Sequence, residues 1–263
     1  MANIPPGPPP PAPPDPSASD APPPEPPFSP ATPGRKLPPV AMMVIGVALV
    51  AGAVVGVLIA RGGDKEDSGK AGPITVPAGW ATQDLSSEGF TLALPPDWKV
   101  IPPGDVEPAV DELRAENPEL ADLIEGQLQG SLSQLVRFFA FDTDAPTLAQ
   151  GFATNVNVVV EPLQTDDVAF AAYVDANIRN LKQVPGVTVT LKDDNLALPG
   201  GRAALINSEF TLNSADGVRK IDVTQYVMLR GRRGLILSMT TTPEHAATYA
   251  QTFTDIAKTF RPV

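Results

Sequence analysis

The chain has 263 residues, no cysteine and a formal charge of −11 at pH 7. Without cysteine there is no disulfide, no thiolate nucleophile, no zinc–thiolate site and no lipobox acylation. The acidity is concentrated in residues 73–263, where 14 Lys and Arg stand against 24 Asp and Glu, a balance that repels phosphate and excludes nucleic acid as a partner.

Of the 32 prolines, 18 fall within the first 39 residues. A segment so poor in large apolar side chains cannot offset its ordering entropy, so residues 1–39 are expected to form a disordered, proline-rich tail of polyproline II character. Such a tail is a spacer or a ligand for a proline-reading partner.

Val40 to Ala60 is a run of 21 Val, Ala, Met, Ile, Gly and Leu residues. As a helix it spans roughly 30 Å, one hydrocarbon thickness, and reads as a single transmembrane segment. It is too long for a cleaved signal peptide, follows a long leader and lacks a small-x-small site, so an uncleaved signal anchor is expected. Arg35 and Lys36 precede it, while Arg61, Lys65 and Lys70 follow among acids. The basic count is nearly balanced. The expected placement is N-terminus cytoplasmic and C-terminal part extracytoplasmic. Ala48, Gly52, Gly56 and Ala60 recur every four residues, a small-residue face on which two such helices could pair as a homodimer.

Residues 61–78 read as a flexible linker and 79–263 as one domain. Gly89 to Leu94 alternates as a strand, stopped at Pro95-Pro96-Asp97-Trp98. Asp105 to Glu116 and Pro118 to about Leu135 read as helices, the second capped at Asn117-Pro118. Its apolar face is Leu120, Leu123, Ile124, Leu128, Leu132 and Leu135. Strands follow at Val136 to Asp142 and Ala153 to Glu161. A helix starting at Asp166 or Asp167 carries Phe170, Val174, Ile178 and Leu181. Further strands are expected at Val187 to Leu191, Ala203 to Leu212, Lys220 to Leu229 and Gly234 to Thr241. Asp216-Gly217 and Gly231-Arg232-Arg233-Gly234 supply hairpin turns. Thr242-Pro243 opens a last helix with Tyr249, Phe253, Ile256 and Phe260 inward. The fold class is α+β, a mainly antiparallel sheet with packed helices. Trp80 and Trp98 read as core plugs.

No catalytic, metal or cofactor site emerges. His245 is the sole histidine, sits at a helix start, and no G-x-S-x-G elbow is present. Asp142-x-Asp144 lacks the loop glycine and glutamate of a calcium site. Asp111, Glu112, Glu116, Glu119, Asp122 and Glu125 read as a solvated helix face. Asp111 and Glu116 are the carboxylates that a hydrolase acting on envelope material would use. Arg230, Arg232 and Arg233 form one basic spot at a hairpin tip, a contact for an anion or partner.

Phe90 to Pro95 with Asp97-Trp98, Asn155 to Glu161, Pro199 to Ala204 and the run from Gly234 to Phe260 together resemble the LpqN/LpqT family of actinobacterial envelope lipoproteins. That family shares its fold with PsbP and a yeast-type Ran-binding protein. The resemblance covers about Gly79 to Val263. It implies a non-enzymatic binding or scaffolding domain outside the membrane, whose partner is an envelope protein or small envelope molecule. The family's lipobox cysteine is absent here, and the Val40–Ala60 helix would anchor the chain instead. A regulatory membrane protein acting through its tail is the competing reading.

Overall fold

The computed structural model describes residues 73–102, 106–128, 135–214 and 217–263. The proline-rich tail, the Val40–Ala60 run with its Ala48, Gly52, Gly56 and Ala60 face, and residues 61–72 of the linker lie outside the described residues.

Among the described residues, ten strands and four α-helices follow in the order β1 (Ala81–Leu85), β2 (Phe90–Leu94), β3 (Trp98–Ile101), α1 (Val106–Glu116), α2 (Pro118–Leu128), β4 (Val136–Asp142), β5 (Asn155–Pro162), α3 (Phe170–Gln183), β6 (Val187–Leu198), β7 (Gly201–Ser214), β8 (Gly217–Arg230), β9 (Arg233–Thr241), α4 (Ala246–Thr259) and β10 (Arg261–Pro262). A seven-stranded sheet has the order β3-β4-β5-β9-β8-β7-β6, and β1-β2-β10 forms a small second sheet. Every strand pairing is antiparallel. The protein is therefore α+β with packed helices, as the patterning predicts.

The large sheet is covered on both faces. Val156, Val158 and Val160 of β5 point to one side, into a cluster with Leu235, Leu237 and Met239 of β9. Tyr249, Phe253 and Ile256 of α4 and Phe90, Leu92 and Leu94 of the small sheet close that side. Alternation sends the intervening residues of β5 to the opposite face. There α3 packs Phe170, Tyr173, Val174 and Leu181 against Val159, Ile236, Val227 and Ile206. On the same face, α1 and α2 cover the β3–β4 edge through Val110, Leu113, Leu120 and Ile124 against Ile101, Phe139 and Phe141.

Several boundaries move. The Pro95-Pro96-Asp97 stop is a turn, Trp98 N–H donating to Pro95 O at 3.3 Å. The chain continues as β3, which alternation alone did not mark because four residues are too few for a period. Trp98 is buried and Trp80 partly buried, both against the α4-side cluster. Asn117 caps α2 as expected, its Oδ1 accepting Leu120 N–H at 3.1 Å. Helix α3 starts at Phe170 with Ala169 as its cap and no side-chain cap bond, not at Asp166 or Asp167. Its first residue is instead held by packing, the Arg202 guanidinium lying 4.5 Å from the Phe170 ring centroid. Strand β6 runs to Leu198 rather than Leu191, drawn out by pairing with β7. At the other end Pro243–His245 is a single 3-10 turn before α4, and Phe260 is the C-cap rather than a helical residue.

Candidate functional site

Strand register carries a row of polar side chains across the helix-covered face. Asn157 of β5 stands opposite Ser238 of β9, which stands opposite Gln225 of β8. One step along, Asn155 faces Thr240, Thr240 faces Val223, and Val223 faces Ser208 of β7. Phe139 and Phe141 of β4 flank Asn157 and Asn155, and Ile206 flanks Gln225. Asn155, Asn157, Gln225 and Thr240 are 0% exposed, and Ser208 and Ser238 are 3%. This row separates the apolar cluster under α3 from the one under α1–α2.

Burial of polar groups is tolerable when each is bonded. Within this row only part of the capacity is used: Gln225 Nε2 donates to Ser238 Oγ at 3.0 Å, and Asn155 Nδ2 donates to Ala153 O at 2.9 Å. Six atoms have no hydrogen-bond partner among the described residues. They are Asn155 Oδ1, both polar atoms of the Asn157 amide, Ser208 Oγ, Gln225 Oε1 and Thr240 Oγ1.

The other face holds one such atom, Asn207 Oδ1, and a bonded set of hydroxyls. Thr147, Thr154 and Thr241 form a buried hydroxyl ladder with both links at 3.0 Å. Tyr249 Oη donates to Asp142 Oδ2 at 2.6 Å, which together with burial raises the phenol well above its ordinary range. Asp142 Oδ1 accepts Asp144 N–H at 2.9 Å. The D-x-D is thus a turn bonded to Tyr249. Among the described residues no three His, Asp or Glu side chains converge on a common point.

At the α3 end of the helix-covered face, Tyr173 Oη donates to Glu161 Oε2 at 2.6 Å. Desolvation raises the Glu161 carboxyl above its usual value, opposed by that hydrogen bond. His245 Nδ1 lies 2.9 Å from Thr242 Oγ1, a local contact within its own turn. Asp111 pairs with Arg114 at 2.7 Å and Glu116 with Lys99 at 3.3 Å, both carboxylates exposed.

The three arginines of the basic spot are handled differently. Arg230 and Arg233 are register partners at the end of the β8–β9 hairpin and are exposed. Its two-residue turn places Gly231 at φ 53°, a left-handed conformation that favours glycine. Arg233 reaches over Gly89, where a side chain would meet its guanidinium. Arg232 turns back instead, donating from Nη2 to Gln164 O at 2.7 Å and from Nε to Leu163 O at 3.3 Å. Arg232 therefore tethers the loop after β5, while Arg230 and Arg233 mark the hairpin end.

No protein-family profile and no curated protein matches the chain. Among solved structures it is similar to cyanobacterial PsbP (CyanoP) from Synechocystis, at 13% identity and TM-score 0.43, over 74% of this chain and 98% of that one. It is also similar to LpqN of Mycobacterium tuberculosis, described as involved in cell envelope biogenesis, at 14% identity and TM-score 0.40, over 72% and 98%. The Saccharomyces cerevisiae Ran-binding protein Mog1p gives 13% identity and TM-score 0.38, over 70% and 95%. These likenesses assign neither an activity nor a site. The polar row went unnoticed in the sequence, where Asn155-x-Asn157 and Ser238-x-Thr240 were the available signals.

Proposed function

We propose that this chain is a single-pass membrane protein of the cell envelope. Residues 40–60 anchor it, the N-terminus is cytoplasmic, and the 79–263 domain acts outside the cytoplasm as a non-enzymatic binding protein. The anchor rests on the length and uniformity of the apolar run. The binding reading rests on one observation: six buried polar atoms in one row of the helix-covered sheet face lack protein partners, against one, Asn207 Oδ1, on the other face. Unpaired buried groups cost roughly 1–3 kcal/mol each unless something else meets them. A set of them in one row calls for an occupant that meets them, a bound molecule or water. Pairing of two anchors through Ala48, Gly52, Gly56 and Ala60 belongs to the same proposal.

The test of placement is a reporter fused after Val263 that is active only outside the cytoplasm, with alkaline extraction of the full-length chain. Activity and retention in the membrane fraction are expected. A cytoplasmic reporter or a freely soluble product overturns the placement. Binding is tested by adding envelope extract and following the side-chain amide resonances of Asn157 and Gln225; perturbation lost in Asn157→Leu and Gln225→Leu supports the binding reading, and no perturbation overturns it.

A further inference from the structure

We propose that the arginine group at the end of the β8–β9 hairpin docks on the anionic headgroups of the membrane that holds the chain's own anchor. The acidic end of the domain then faces away from the bilayer. The inference rests on the placement reading above and adds which surface of the domain meets the membrane.

Charge in this domain is segregated along the strand direction. Register sets Arg230 opposite Arg233 at the hairpin end, and Arg233 reaches over Gly89. Gly89 O accepts the Val263 N–H at 2.9 Å, and in the same ladder Arg261 stands opposite Thr91. Arg137 arrives from β4, its Nε 3.4 Å from Glu88 Oε2. These arginines gather on the small-sheet side of one end of the domain. Of the acids beside them, Glu88 is taken by Arg137, and Asp84 Oδ1 accepts the Ser86 N–H at 3.0 Å. Arg230, Arg233 and Arg261 are exposed and, among the described residues, paired with no carboxylate. In a domain where acids outnumber bases by 24 to 14, this is a local reversal of sign.

The opposite end is acidic. Asp142 stands opposite Trp98, next to Asp97, and Asp222 stands opposite Glu209 and Thr241. Burial, followed by the negative charges of Glu209 and Glu244, raises the Asp222 carboxyl above its usual range, with Lys220 opposing. The domain is thus a dipole superimposed on a negative net charge.

Net charge repels the domain from an anionic surface, so affinity comes from the tether, which holds the domain there at high effective concentration. Charge decides orientation. The surface field decays over about 8 Å at physiological salt, so the nearest end dominates, and guanidinium forks match headgroup phosphates. Chain length permits the arrangement. The chain enters β1 at the acidic end, where Ala81 stands opposite Leu94. The length of β5, eight residues, makes the two ends about 26 Å apart. Residues 61–78 extend to about 60 Å, enough for the arginine end to turn toward the bilayer.

The chain has no cysteine, so a fluorophore on a single introduced cysteine reports one place. Ser87→Cys marks the arginine end. Gln150→Cys marks the other, beside Gly151, whose carbonyl accepts from Arg219 Nη1 at 2.8 Å. The full-length chain with either label is reconstituted in phosphatidylcholine vesicles with or without phosphatidylglycerol, and a nitroxide-headgroup lipid serves as quencher. On anionic vesicles at low salt, the Ser87→Cys label should be quenched about threefold or more over the Gln150→Cys label. High salt, neutral lipid, or the combined Arg230→Gln, Arg233→Gln and Arg261→Gln substitutions should abolish the difference. A chain that does not co-float with the vesicles overturns the placement reading and the docking with it. A chain that co-floats with both labels equally quenched, or with a ratio indifferent to lipid charge, overturns the docking alone. If polyglutamate shields the Ser87→Cys label and anionic lipid has no effect, the arginines belong to an acidic protein partner and the docking is overturned. The lipid and salt comparisons keep the native arginines, so they decide the matter even if the triple variant fails to fold.

Discussion

Gly234, second residue of β9, lies against Tyr173 of α3, and a Cβ at this position would run into the phenol oxygen and ring. The contact decides which residue fits there, since the Tyr173 hydroxyl is held at that spot by its hydrogen bond to Glu161, the register partner of Gly234. Gly234→Ala is expected to lower stability by about 1–3 kcal/mol through overpacking. Urea unfolding measures the loss. In a Tyr173→Ala background the penalty should vanish, and an equal penalty there would show that this collision is not its cause.

Glu161 also gives the domain a pH dependence of stated sign. Burial raises its carboxyl above 4.5, its ordinary value, so the folded state holds the proton more tightly than the unfolded chain. The stabilisation is complete below the unfolded value. It is lost as pH rises from about 4.5 through the higher folded value, and above that the cost is constant. Glu161→Gln should flatten this part of the stability profile, the difference from wild type growing from acid toward neutral pH. A difference independent of pH would remove the titration of Glu161 from the account.

Among the elements, α2 depends on a single side-chain cap. Asn117 accepts the Leu120 N–H and terminates α1 at the same time, its own N–H donating to Leu113 O at 2.7 Å. Asn117→Ala is expected to cost about 0.5–2 kcal/mol, while Asn117→Asp should retain most of the stability. Equal losses for both would mean that the side-chain oxygen does not carry the effect. Strand β6 shows how an edge is protected. It is the outer strand of the large sheet and is interrupted by two register shifts. Lys192, bonded to Asp175 at 2.8 Å and to Asp194 at 3.1 Å, sets charge along it. These are devices that discourage edge-to-edge pairing.

At the scale of the whole domain, the two large clusters share the central strands β5, β9 and β8. The third hangs on the β3–β4 edge and holds α1–α2 through a smaller set of buried residues. Its outer face is fastened by exposed ion pairs around Arg114, at 2.7 Å to Asp111 and 2.6 Å to Glu125, which contribute little in water. Local opening is therefore expected first in α1–α2. Amide hydrogen exchange should show those helices opening at clearly lower free energy than β5, β8 and β9. Equal protection would mean that the domain opens only as one unit.

Chain patterning made much of this architecture readable. Long alternating runs located β2, β4, β5 and β7 to β9, because a period of two over five or more residues is hard to imitate. The apolar stripe of α3 and the cap of α2 were equally visible. Strands β1, β3 and β10 were not, being short and defined by whatever lies beside them. The candidate site escaped for a related reason. Asn155 and Asn157 alternate with valines, and a one-sided antiparallel strand shows the same pattern with its polar face in water. Only the arrival of α1–α2 and α3 on that face turns a wet row into a buried one.

Sequence alone determined the absence of cysteine chemistry, the acidic surface and the α+β class with its antiparallel strands, since composition and period are properties of the chain itself. Tertiary structure decided which helices cover which face of the large sheet, that Arg232 is bonded to the loop after β5 while Arg230 and Arg233 pair at the hairpin end, and that the polar atoms of five distant residues fall in one buried row without protein partners. Those are outcomes of register and layer packing, which bring together positions up to 85 residues apart and leave no local periodic signal.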